Sequence, residues 1–221
     1  ASSPGYTSYT EEVGSVMKRE LSFFLSLIIL VLGACSSGAD SLGESSKIGI
    51  APYELSGHEE DLLESFGLSS GNSQILSFRA PEEAVSVVIT VSILEDSGSW
   101  KNTGGGSISL GSSQSDQQLS GIFTMKAEDD HAIDLHINCA ALYSFRTDPI
   151  VLGNEFLSGS TLFLREFTEI ELNEEIPVAL LMYDSGTTIN AYSLQSYFEP
   201  TVFKGIDLVQ AVTVRFADTD I

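Results

Sequence analysis

Basic residues and cysteines are scarce in this chain. Of its 221 residues only ten are Lys or Arg, against 31 Asp and Glu, so the formal net charge is −21. A surface of that sign repels phosphate backbones, which argues against nucleic acid as a partner. Two cysteines cannot make a disulfide scaffold or a multi-cysteine metal site. Apolar residues make up 43%, which is typical of a globular protein rather than a disordered one.

A hydrophobic run long enough to span a bilayer is also absent. The one extended apolar stretch, residues 21–34 (LSFFLSLIILVLGA), has about 14 residues, where a spanning helix needs roughly 20. Met17, Lys18 and Arg19 stand just before it, and Cys35 and a polar run follow it. A charged flank, a short apolar segment and small residues at its end are typical of a secretory signal peptide.

Residues 32–35 read Leu-Gly-Ala-Cys, and this box resembles the lipobox of bacterial lipoproteins. The resemblance covers residues 17–40 only. It implies a diacylglyceryl group on the thiol of Cys35 and cleavage between Ala34 and Cys35. It also implies a protein anchored in the lipid bilayer, on the extracytoplasmic face of the bacterial cell membrane. An uncleaved membrane anchor and a core helix are the alternatives for this segment.

Four segments are predicted along the chain. They are an upstream, non-native segment (1–16), the signal peptide (17–34), a small and polar flexible tether (35–46) and a single globular domain (47–221). The part that begins at Cys35 has a net charge of −20. Because anionic lipids repel such a surface, the lipid rather than a basic patch has to hold the protein at a membrane.

Alternation with a period of two predicts most of the secondary structure after residue 74. Residues 85–93 show the clearest strand pattern, and 133–139, 176–182 and 208–216 repeat it. In the strand at 176–182, the even-numbered residues are predicted to share one face. Further strand candidates are 119–126 and 161–172. Many short strands with few helices predict an all-β fold, an antiparallel β-sandwich.

Two short helices and several turns complete this prediction. One helix spans 56–67, with Ser56 as N-cap and Gly67 as its stop; the other spans 194–199 and ends at Pro200. Acidic or Gly-containing turns are predicted at 96–98, 128–130 and 184–186. The Gly- and Ser-rich residues 102–121 predict a mobile loop or a weak edge strand.

Residues 129–136 contain the densest group of candidate metal ligands. Asp134 and His136 would project from one face of a strand, about 7 Å apart, with Asp129 and Asp130 in the turn before it. Such a set would suit Ca²⁺ or Zn²⁺. The apolar residues between them already explain the pattern as a strand with a polar outer face. That interpretation is preferred, so neither a metal nor another cofactor is predicted.

Signatures of catalysis are weak. Asp184-Ser185-Gly186-Thr187 resembles the aspartic protease signature, and Asp96-Ser97-Gly98 repeats part of it. However, Glu95 stands where that family has an apolar residue, and Asp-Ser-Gly is also good turn chemistry. None of the three histidines stands in a nucleophile motif, so no catalytic triad is predicted. Cys139 shares the phase of its apolar neighbours and is predicted to be buried.

The function predicted from these features is binding rather than catalysis. The domain is interpreted as a ligand- or protein-binding module of the cell envelope, with an unknown envelope protein or glycan as its partner. Trp100, Tyr192 and Tyr197 could stack on sugars or close the core. The alternative is an extracytoplasmic hydrolase that uses carboxylates of residues 129–134 or of Asp184.

Overall fold

Ten β-strands in two sheets dominate the part of the chain that is described by the computed structural model. That part comprises residues 47–110, 118–139, 141–151, 158–186 and 191–220, and all of it belongs to one compact unit. The predicted signal peptide and tether, with Ala34 and Cys35, lie outside the described residues. For the described residues, the all-β sandwich prediction is confirmed.

Each sheet has five strands. The first consists of β1 (Gly49–Pro52), β2 (Ser73–Arg79), β5 (Ser120–Ala127), β6 (Ile133–Asn138) and β7 (Leu142–Arg146), in the order β1-β2-β5-β6-β7. The second consists of β3 (Ser86–Leu94), β4 (Trp100–Ser109), β8 (Ser158–Phe163), β9 (Glu175–Asp184) and β10 (Leu208–Ala217), in the order β4-β3-β10-β9-β8. All neighbouring strands are antiparallel.

The edges of the two sheets lie over one another. On one side, the amide of Ile50 in β1 donates to the carbonyl of Thr168, just beyond β8, and the amide of Thr168 donates back. On the other side, β4 and β7 meet where the ring of Phe145 approaches Gly104. Much of the predicted loop or edge at 102–121 is therefore a true edge strand, while 111–117 lie outside the described residues.

The core lies between the sheets and uses alternate residues of each strand. The rings of Phe78 and Phe216 meet across it at 5.3 Å between centroids. Fully burying each large apolar side chain contributes about 1.5–3 kcal/mol, which is why the alternation fixes which face turns inward. Core residues of the central strands are Leu76, Phe123, Met125, Leu135, Val87, Ile89, Val91, Val212 and Val214.

One predicted face is wrong, because β9 contains an irregularity. Its pairing with β10 shifts register after Val212, which leaves Val178 as an extra residue. Val178 and Ala179 both belong to the core between the sheets, whereas Leu180 and Met182 belong to a second cluster outside. A one-residue bulge reverses the faces that follow it, so the even-numbered residues do not share one side.

The second cluster lies on the outer face of the second sheet, beneath residues 191–206. Two 3₁₀ helices lie there, Leu194–Phe198 and Pro200–Phe203. Ser193 is the N-cap of the first. Pro200, predicted to end the segment, instead begins the second helix. The buried members of this cluster are Leu180, Met182, Tyr197, Phe203, Val209 and Ala211.

The single α-helix of the described residues, α1 (Gly57–Ser65), matches its prediction at both ends. The Ser56 amide donates to Glu59 Oε2 at 2.7 Å in a capping box, and Gly67 adopts a positive φ of 76°. No residue of α1 is buried. Among the described residues, none of the helices combines the length and apolarity needed to cross a membrane.

Candidate functional site

The edge strand β4 has little side-chain volume on its inner face. Its inward positions are Gly104, Gly106 and Ile108, because each pairs with a core residue of β3. Because two of these three inward positions are glycines, β4 contributes little side-chain volume to this side of the core. Side chains from the other sheet would have to fill the remaining space.

Phe145 of β7 fills the space beside one of the two inward-facing glycines, Gly104. A Cβ at Gly104 would lie 2.6 Å from Cζ of Phe145 and 3.3 Å from Cγ2 of Thr147, so the ring occupies the space beside this glycine. A Cβ at Gly106 would meet no atom of the described residues within 4 Å. Within the described part of the chain, the space beside Gly106 is therefore empty.

This empty place opens into a cleft between the sheets, which we call the edge cleft. Its walls are Ile89, Gly106 and Ile108 on one sheet and Leu135, Ile137 and Tyr143 on the other, and its volume is about 160 Å³. Among the described residues, none of those that line it is charged. An apolar cavity of about 150 Å³ holds a benzene molecule, so the edge cleft is large enough for one aromatic ring or one branched side chain.

Two aromatic residues remain exposed at the mouth of the edge cleft. Tyr143 and Phe145 pair with Ile137 and Leu135, so they share the inward face of the first sheet. They are nevertheless 47% and 37% exposed, because β7 and β4 end their sheets on this side. Inward-facing aromatic rings without cover form an apolar surface of the kind that binds partners.

The predicted metal ligands lie on the outer face of the first sheet, around Arg146. Its Nη2 donates to Asp130 Oδ2 at 2.9 Å, and its Nη1 donates to Asp134 Oδ2 at 3.2 Å. Glu128 lies 4.0 Å from the same guanidinium and pairs with Lys126 at 2.9 Å. The guanidinium thus occupies the space between the carboxylates.

The other two candidates lie apart from this ion-pair group. Nδ1 of His136 lies 2.8 Å from the Ser144 hydroxyl across the strand pair, and Asp129 is exposed in the turn between β5 and β6. Asp134 and His136 do share a face, as predicted, but each binds a residue of β7. In the described ranges, no three His, Cys, Asp or Glu side chains are arranged to hold a metal ion.

The surroundings of Asp130 and Asp134 shift the pKa values of these two residues in opposite directions. The pKa of Asp130 is lowered, first by the amide of Ala132 and then by Arg146. The pKa of Asp134 is raised, because burial and a hydrogen bond with Glu128 favour its protonated form more than Arg146 opposes it. Asp134 therefore keeps its proton to higher pH than an exposed aspartate does.

The predicted turns at 96–98 and 184–186 lie at the same end of the second sheet. Ile93 and Leu181, near these turns, pair with Gln210 from opposite sides. Since β10 runs between them, the two strands that lead to these turns are about 10 Å apart. The ring of His131 lies 4.5 Å from that of Tyr183, so the acidic turn at 128–130 meets the end of β9.

The aromatic residues considered for sugar binding pack on the second sheet. Trp100 stacks on Tyr197 at 5.0 Å between centroids, and its indole N–H donates to the Tyr197 carbonyl at 3.0 Å. Tyr192 contacts Phe203 at 5.0 Å. These residues cover the outer cluster. The expectation that they would close the sandwich core was therefore wrong.

The edge cleft is not among the features predicted from the sequence. Its signal was the triple glycine at 104–106, which predicted only a loop or a weak edge strand. The alternation of Tyr143 and Phe145 is typical of a second strand with an apolar inward face. However, nothing in the sequence indicates that this strand meets β4. Comparisons of the chain with protein-family models, with curated proteins and with solved structures found no match.

Proposed function

We propose that the chain is a membrane-anchored, extracytoplasmic lipoprotein of the bacterial cell envelope, and that its β-sandwich is a binding module. The edge cleft is its binding site. The observation that supports binding is an uncharged cleft of about 160 Å³ with exposed aromatic rings at its mouth. In a chain with a net charge of −21, such an opening favours an apolar group over a charged one.

Support for the anchor comes from residues 17–40 alone. A signal peptide that ends in Leu-Gly-Ala, directly before Cys35, would place acyl chains on Cys35 and the sandwich outside the cytoplasm. The acidic surface fits this arrangement, because a domain that anionic lipids repel stays in solution beside the membrane while its acyl chains hold it there.

Toluene tests the edge cleft because it matches the cleft in size and carries no charge. The full chain would be placed in nanodiscs of zwitterionic lipid with labelled methyl groups and titrated with toluene. We expect NMR shifts at Ile89, Ile108 and Leu135, which line the cleft. Shifts spread evenly over the methyl groups of both clusters would contradict the proposal.

Gly106→Val is the matching variant, because its side chain would grow into the empty place. Gly159→Val is its control: Gly159 lies on the other edge strand of the same sheet, and a Cβ there makes only ordinary contacts, the nearest being Cδ1 of Tyr183 at 3.7 Å. The toluene response should disappear in the first variant and persist in the second.

A further inference from the structure

We infer that the occupant of the edge cleft is an extended peptide that adds to β4 as a further strand and inserts one apolar side chain. This inference rests on the proposed binding function and specifies its ligand. The geometry points to it through the free edge of β4, the lack of charge along that edge, the size of the cleft and the charge of the whole chain.

The outer edge of β4 is open to pairing. β4 is the last strand in the order of its sheet, so among the described residues no strand lies beyond it. Its register with β3 is irregular near Thr103 and regular from Gly104 to Ser109. The Gly104 amide already donates to the Asn102 side chain at 2.8 Å. Residues 105–109 remain, a length of roughly 17 Å.

Beyond Lys101 and the bulge at Thr103, residues 104–109 of this edge lack the features that usually prevent strand addition. Exposed edges in native proteins are commonly blocked by Lys, Pro or inward-pointing charges. Residues 102–110 contain no charged residue and no proline. The neighbouring edge β7 is no longer than this stretch, and it ends in the charged Arg146, which is held by Asp130 and Asp134. We therefore assign the added strand to β4.

The size of the edge cleft sets the size of the inserted group. A residue of the added strand opposite Gly106 would lie about 5 Å from it. Its inward side chain would then enter the edge cleft and cover Tyr143 and Phe145. A volume of about 160 Å³ is close to that of the cavity of about 150 Å³ that binds benzene. It therefore accepts one Phe or Leu side chain and is too small for a long acyl chain.

The charge of the chain distinguishes a foreign peptide from a second copy. Two copies would each bring a net charge of −21, and that repulsion opposes their association. A peptide with an uncharged centre and basic flanks would instead be attracted at long range and would meet no buried charge at the cleft. The occupant is therefore a basic, β-forming peptide with a central aromatic or branched residue.

The test uses the acetylated and amidated peptide Lys-Lys-Thr-Val-Phe-Val-Thr-Lys-Lys, with a fluorophore on its N-terminal lysine. Its binding to the full chain in zwitterionic nanodiscs would be followed by anisotropy, with empty nanodiscs as the blank. A peptide with Ala in place of Phe removes the inserted ring. A peptide with alternate backbone amides N-methylated removes the strand pairing.

We expect the Phe peptide to bind at least about tenfold more tightly than the Ala peptide, because the ring is buried in the cleft. The N-methylated peptide should lose binding. Hydrogen exchange should slow at residues 105–109 and remain unchanged on β8. Gly106→Val should reduce the affinity for the Phe peptide to that for the Ala peptide, and Gly159→Val should leave it as in the wild type.

Other outcomes separate this inference from the proposed function. If toluene binds at the edge cleft but the peptide does not slow exchange on β4, the cleft is a site for small apolar molecules, and the inference is wrong. Equal affinities for the Phe, Ala and N-methylated peptides would show charge attraction alone. Protection of β4 that exists without peptide and fades on dilution would identify a second copy. If toluene also fails to bind, the proposed binding role of the edge cleft is overturned.

Discussion

Gly104 and Phe145 meet where the free edges of the two sheets face each other. A Cβ on Gly104 would lie 2.6 Å from the ring of Phe145, so the aromatic ring takes the place of the missing side chain. The two residues are 41 positions apart in the chain and lie on different sheets. Their contact closes the gap between the two sheets at Gly104, whereas the gap beside Gly106 stays open as the edge cleft.

Replacing Gly104 with alanine should destabilise the sandwich because the new methyl group and the Phe145 ring cannot share one space. Overpacking of this kind typically costs about 1–3 kcal/mol. In a Phe145→Ala background the same change should cost less, with a coupling free energy of about 1 kcal/mol. Urea denaturation of the wild type, both single variants and the double variant measures this coupling. Additive effects would mean that the two residues do not compete for space.

Alanine at Gly105 and at Gly106 should have opposite effects. Gly105 has a φ of 136°, and a Cβ there would collide with the backbone carbonyl oxygen of Ile89, so Gly105→Ala should cost about 2 kcal/mol or more. Gly106 has open space, and Gly106→Ala should be neutral or stabilise the fold by up to about 1 kcal/mol. Urea denaturation of these two variants measures the contrast. A destabilised Gly106→Ala variant would show that the edge cleft is not a ready-made space.

The two aspartates that bind Arg146 should respond to pH with opposite signs. The lowered pKa of Asp130 gives the folded state a stability that is present above its unfolded pKa and is lost as pH falls through the folded value. The raised pKa of Asp134 works in reverse, since its contribution is greatest at low pH and is lost as pH rises through the folded value.

The stabilities of two asparagine variants, compared with the wild type between pH 3 and pH 7, test these signs. Asp130→Asn should fall furthest below the wild type at pH 7 and approach it as the pH is lowered. Asp134→Asn should gain on the wild type as the pH is raised. The same trend in both variants would contradict the different surroundings of these two carboxylates.

Calcium should stabilise the protein only weakly, by general screening of its negative charge. The guanidinium of Arg146 lies between the carboxylates of Asp130 and Asp134, where a cation would otherwise bind. Differential scanning fluorimetry with millimolar Ca²⁺, and with Mg²⁺ at the same ionic strength, should show small and similar shifts of Tm. A large shift with Ca²⁺ alone, abolished by Asp130→Asn together with Asp134→Asn, would establish a specific site.

The sequence predicted which face is buried for strands whose two faces differ in polarity. On β6, Ile133, Leu135 and Ile137 are buried and alternate with residues that face Arg146 and Ser144. On β9 both faces are apolar, because one covers the core and the other the outer cluster. The position of its bulge therefore left no mark in the hydrophobic pattern, and the predicted face was wrong.

Features that depend on distant parts of the chain could not be predicted from local patterns. The edge cleft needs β4 and β7 to meet, and no short-range signal specifies that meeting. Arg146 also lies 12 residues beyond Asp134, and its position between the aspartates depends on the pairing of β6 with β7. Cys139, predicted to be buried, is half-buried against the core just beyond the end of β6.

The anchor can be tested at Cys35, with Cys139 as the matched control. The apolar run at 21–34 is shorter than a bilayer-spanning helix, so in the proposed lipoprotein attachment would come from acyl chains on Cys35. One chain, at about 0.8 kcal/mol per buried methylene, binds only marginally, whereas two or three hold firmly. No basic patch would replace them, because the part of the chain that begins at Cys35 has a net charge of −20.

Cys35→Ser should therefore prevent both lipid addition and cleavage before position 35, leaving uncleaved precursor or slowly released protein. Cys139→Ser removes a thiol within the sandwich and should leave the anchor unchanged. Mass spectrometry of the wild-type N-terminus should find diacylglyceryl-modified Cys35 with nothing upstream of it. An unlipidated N-terminus at Met17 in the membrane-bound protein, or equal membrane retention of the wild type and Cys35→Ser, would show that the Leu-Gly-Ala-Cys box does not act as a lipobox.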